Sequence, residues 1–175
     1  MRFLTDIRLL LIALWLGAAC YFSFAVAPSA FGVLPSRELA GSLVNRTLLI
    51  TNVSGIIIGA ILILTSLVGT ANYKKFFVWA ERVLLVILVA ACAVGQFLIG
   101  GWLSYVKSQM GKPIDELAAD DPLRLQFNQL HEYSVWLLLT AMICALIAFF
   151  LINRKPIVKP VETKKDPYDF SDLIH

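Results

Sequence analysis

Charge, histidine and cysteine are all scarce in this chain. Charged residues make up 15% of its 175 positions, against about 25% in an ordinary soluble domain. There are two histidines, His131 and His175, and three cysteines, Cys20, Cys92 and Cys144. So little charge argues against a soluble enzyme or a disordered chain. The cysteines lie far apart inside apolar runs and form no CxxC pair, which argues against a disulfide scaffold. They read as small packing residues. No GxxxxGK[ST] phosphate loop, HExxH zinc helix or GxSxG nucleophile elbow occurs. The formal net charge is +3. The basic residues sit at the edges of apolar runs rather than along a recognition stripe, so a nucleic-acid partner is not expected.

Apolar sequence is abundant: 59% of residues are hydrophobic and the mean hydropathy is +0.78. Four stretches carry no charge, namely Leu9–Ser36, Thr47–Tyr73, Val83–Val106 and Tyr133–Asn153, of 28, 27, 24 and 21 residues. About 20 apolar residues suffice to cross a hydrocarbon core as a helix. Lipid cannot satisfy an open backbone, so helices are expected. The fold class predicted is all-α: a polytopic membrane protein with a bundle of four transmembrane helices over residues 1–153. A charged, proline-containing tail, residues 154–175, is expected to be flexible.

The first run, with Arg2 and Arg8 before it and Ala25-Val26-Ala27 late in it, has the outline of a signal peptide. Pro28 follows at once and is expected to block cleavage, so the run is read as a retained helix. Counting Lys and Arg gives ten on the side of Arg2, Arg8, Lys74, Lys75, Arg82 and the tail, and five on the side of Arg37, Arg46, Lys107, Lys112 and Arg124. The excess of basic residues places both termini in the cytoplasm, with the bacterial inner membrane as the expected location.

Local signals refine the helix ends. Pro28 and Pro35 bracket the end of the first helix. Ser36 is an N-cap candidate with Glu38 in the following turn. Asp121-Pro122 predicts a helix over residues 122–153, about 48 Å long. Gly55 and Gly59, Ala91 and Gly95, and Ala141 and Ala145 are spaced four apart. This spacing suits close approach of membrane helices, mainly within the bundle, with a homo-oligomer face as a lesser reading.

Polar groups within the runs are few. Gln96 and Asn52 read as hydrogen-bonding glue between helices or as lining of a ligand cavity. The four runs contain no carboxylate, so no intramembrane acid of the kind used in proton-coupled pumps is expected. The most polar approach to a span is Leu123–Ser134. On a helix Arg124, Asn128, His131 and either Ser134 or Val135 share one face, which should turn toward the bundle interior or water. His131 suits an interfacial hydrogen bond, a proton carrier or a metal or haem ligand. Met110, and Cys20 with it, would be the candidate partners for a soft metal such as copper(I). No spacing supports that set.

The combined pattern resembles the transmembrane protein 205-like family, catalogued as domain of unknown function 4149. The resemblance rests on Trp15-Leu16-Gly17, Tyr21-Phe22, Val26-Ala27-Pro28, Phe31 and Ala40-Gly41, then Met110, and then Arg124, Phe127, His131 and Ser134. It covers residues 7–153. It implies a four-helix integral membrane protein, and distant kinship with copper-resistance D-type and haem-related four-helix membrane proteins. Those relatives use additional histidines that this chain lacks, so no haem or copper chemistry is carried over. The expected role is a structural or accessory component of a membrane complex, with the bilayer and a membrane-protein partner or a second copy as its contacts. The alternative is binding or transport of a metal, haem or small ligand on the face around His131. Enzyme activity is the least expected reading.

Overall fold

The computed structural model describes residues 2–67 and 74–154. Its described residues are helical or connecting, with no strand among them. Four helical stretches are long and apolar enough to cross a membrane: Phe3–Val33, Arg37–Thr65, Lys75–Met110 and Pro122–Asn153. The predicted tail lies outside the described residues from position 155 onward.

The first span is α1 (Arg2–Tyr21), a π-helical turn (Phe22–Val26) and α2 (Ala27–Val33). The Ala27 N–H reaches back five residues to the Phe22 carbonyl. This widened turn lies just before Pro28. A proline removes one ladder hydrogen bond and crowds the carbonyl four residues back, and a wider turn relieves that crowding while the helix continues. The second span, α3 (Arg37–Thr65), starts where Ser36 accepts a hydrogen bond from the Leu39 N–H at 3.2 Å. The third is α4 (Lys75–Ala93), a second π-helical turn (Val94–Ile99) and α5 (Gly100–Met110). Gly111, with φ of 62°, ends it in the left-handed conformation that glycine adopts without a Cβ clash. The fourth, α6 (Pro122–Asn153), starts where Asp121 accepts from the Leu123 N–H at 2.8 Å.

Consecutive spans neighbour one another, and the fourth packs back on the first, so the bundle closes on itself. Its core is narrow. Ala141, Ala145 and Ala148 on α6 have no exposure, and Ile12, Trp15 and Ala19 on α1 sit against them in one cluster with Leu85, Leu88 and Cys92 of α4. Small residues let helix backbones approach where lipid supplies no hydrophobic drive. Large apolar side chains such as Phe24, Leu64, Phe97 and Leu98 point outward instead.

Gly55 shows how one missing Cβ shapes this core. The Trp15 indole N–H donates to the Thr51 carbonyl at 2.9 Å. Thr51 lies one turn before Gly55. A Cβ on Gly55 would lie 2.7 Å from Trp15 Nε1 and 2.8 Å from Cys92 Sγ. Only glycine there lets the indole reach the backbone of α3.

Candidate functional site

The polar centre of the bundle lies at the end where α1 begins, α3 finishes and α4 begins. Arg8 of α1 and Glu81 of α4 form an ion pair, with side chains 7% and 0% exposed. The same Arg8 Nη2 donates to the Leu62 carbonyl of α3 at 3.1 Å. One guanidinium therefore joins three spans. Beside it, Arg82 donates through Nε to Ser66 Oγ at 3.2 Å and through Nη2 to the Ser66 carbonyl at 2.8 Å.

The electrostatic reason is the C-terminus of α3. The last carbonyls of a helix lack intrahelical donors and carry the negative end of its dipole. The final turn of α3 contains no basic residue of its own. Arg82 supplies a donor to the Ser66 carbonyl, Arg8 adds one to a Leu62 carbonyl that already accepts from the Ser66 N–H, and both bring positive charge. Glu81 then balances Arg8, which would otherwise be a lone cation in a dry interior. Arg8 Nε is buried and makes no hydrogen bond among the described residues.

The uncharged runs therefore understate the length of the helices that form the bundle. Glu81 is fully buried in a helix that starts at Lys75, not at the uncharged residue Val83. The readable signal was a pair of opposite charges, Arg8 and Glu81, each close to an uncharged run and on the same side of the predicted topology.

The opposite end is built differently. A smaller cluster buries Val106, Met110 and Leu130, with Ile114, Leu117, Leu123 and Phe127 packed on it. Arg124 Nη1 donates to the Leu117 carbonyl at 2.7 Å and so holds the connection between α5 and α6. Lys107 and Glu38 pair at 3.5 Å on the surface, with side chains 53% and 58% exposed.

The residues singled out in the sequence are dispersed. Of the predicted polar face, Ser134 is buried, Arg124 is half-buried, and Asn128 and His131 are exposed. Met110 is enclosed by apolar side chains, and Cys20 is half-buried beside the main core. No group of three or more His, Cys, Asp or Glu residues is placed to hold a metal among the described residues. Gln96 is half-buried in the second π-helical turn. Asn52 is buried, and a Cβ on Gly95 would lie 3.7 Å from its Nδ2. A Cβ on Gly59 would lie 2.5 Å from Val89 Cγ2. Ala91 is buried in the main core.

No curated protein and no solved structure matches this chain. One family model does, over residues 10–112, which includes the second and third spans and most of the first. The chain belongs to the family described as domain of unknown function DUF4149.

Proposed function

We propose that this chain is a structural or accessory component of a bacterial inner-membrane complex, with both termini in the cytoplasm. One observation carries the reading. The ionisable groups inside the bundle, Arg8 and Glu81, are closed on each other and on the Leu62 carbonyl. An intramembrane acid that moves protons or ions needs contact with water or substrate. Glu81 has no exposed surface and serves to fix three spans. The bundle is thus a braced unit whose outward faces carry large apolar groups such as Phe97, Leu98 and Trp102. Lipid or a neighbouring span can cover them.

Kinship with the transmembrane protein 205-like and copper-resistance D-type proteins belongs to the same proposal. The residues do not fit the copper or haem that such kinship would imply. His131 is exposed, Met110 is buried among apolar neighbours, and no second histidine lies among the described residues.

The test is cross-linking in native membranes, followed by gentle extraction, native electrophoresis and mass spectrometry. The expected result is a defined second membrane protein at fixed stoichiometry. A chain that migrates alone after cross-linking, or that carries stoichiometric metal or haem, would overturn the proposal.

A further inference from the structure

An open groove of about 250 Å³ lies at the Arg8 end, lined among the described residues by Lys75, Val78, Trp79 and Arg82. These residues stand at i, i+3, i+4 and i+7, so they form one face of the first two turns of α4. Two are cations and two are apolar. Lys75 and Arg82 are about 10 Å apart along the axis, within the joint reach of two long side chains converging on one anion.

Three observations indicate what such a groove would take. First, Arg82 is held in place. Its Nε and Nη2 are tied to Ser66, itself buried, and those bonds do not use Nη1. Second, the acid next to Arg82 in sequence does not line the groove. Glu81 precedes Arg82 in sequence but points about 100° away round the helix, and its charge is matched by Arg8. Third, the groove sits where a span begins and Trp79 is exposed. Tryptophan favours the boundary between headgroups and acyl chains. Cationic and apolar surface thus meet at the start of a span, the combination that a headgroup boundary favours.

We infer that this groove binds the phosphate headgroup of an anionic phospholipid. Lys75 and Arg82 hold the phosphate oxygens, and the exposed Trp79 covers the glycerol and the first methylenes. Arginine and lysine both suit a phosphate, the first as a fixed fork and the second as a mobile point charge. The site is independent of any protein partner.

Native mass spectrometry of the full chain, released from nanodiscs of mixed phosphatidylglycerol and phosphatidylcholine, tests this. Phosphatidylglycerol is expected to stay bound in preference to phosphatidylcholine. Lys75→Gln is expected to weaken that preference about fivefold, and Lys75→Gln with Arg82→Gln about 25-fold, from the contribution of each basic residue near an anionic surface. Lys75 makes none of the helix-to-helix ties described above, so its single variant decides the matter if the double variant does not fold. Equal retention of the two lipids would overturn the inference, as would a preference unchanged in Lys75→Gln. Displacement of the lipid by millimolar inorganic phosphate would assign the groove to a free anion instead.

Discussion

Two ion pairs, one at each end of the bundle, have opposite settings. Arg8–Glu81 is enclosed and joins the first and third spans, while Lys107–Glu38 is half in solvent and joins the second and third. A solvated pair contributes about 0–1 kcal/mol, because water competes for both partners. A buried pair is different in kind. Its net stabilisation is small, because desolvation offsets most of the attraction, yet removing one partner leaves a charge with no water and no counter-ion. The Arg8 end therefore encodes specificity: it fixes which helices meet and in what register. The Lys107 end rests on apolar packing, a glycine stop and an Asp cap.

The sharpest way to break this contrast is Glu81→Leu. It strands the Arg8 guanidinium, and a loss of about 3–5 kcal/mol is expected. Adding Arg8→Met should restore most of it, since two apolar groups replace the pair. Reversible unfolding in mixed micelles measures both. If the double variant were as unstable as the single one, the pair would be a source of net stability rather than of specificity.

The next largest effect lies in the core between the two ends. Gly55→Ala puts a methyl group 2.7 Å from Trp15 Nε1 and 2.8 Å from Cys92 Sγ, so the indole and the thiol must shift. Overpacking of this sort costs about 1–3 kcal/mol. Gly41→Ala in the same helix has open space around its Cβ. It should be neutral or stabilising by up to about 1 kcal/mol, as expected for alanine over glycine within a helix. Thermal melts of the two variants separate backbone propensity from packing.

These residues also show what was legible in the sequence. Charge gaps gave four spans, because lipid excludes charge along a whole helix. Ser36 and Asp121 marked helix starts, because a cap is a local interaction between a side chain and the next two or three amides. The spacing of Gly55 and Gly59 pointed to close contact, but not to an indole as the neighbour. Arg8 and Glu81 lie outside the uncharged runs and went unread as a pair, although two opposite charges can enter a bundle together. That pairing spans 73 positions and cannot be seen in any local window. The face around His131 was legible as a face, with Ser134 turned inward and Asn128 and His131 outward. Helical spacing fixes which residues share a face, but the neighbours in the bundle decide where that face points.

A smaller effect should follow Lys107→Gln at the solvated pair, below about 1 kcal/mol and reduced further by salt. Arg8 with Glu81 should show little salt dependence, since ions do not reach it. A chemical unfolding series at low and high salt on both single variants would expose this difference without any structural work. Similar salt dependence at the two ends would mean that water reaches Glu81.

The smallest expected effect is that of His131→Ala. The side chain is exposed on α6, and substitutions at such surface positions usually stay within about 0.5 kcal/mol. The variant is informative because its stability should not move. Leu130, one position earlier, is buried against Val106 and Met110, so Leu130→Ala at the same level of the helix should cost about 2–5 kcal/mol. If the cross-linked partner complex survives His131→Ala at full stability, the outer face of α6 is not where the partner sits. If the complex dissolves while the melting temperature is unchanged, the exposed face of α6 that carries Asn128 and His131 is a contact surface, and the two ends of the bundle have divided the work. The Arg8 end then fixes the helices, and the His131 end meets the partner.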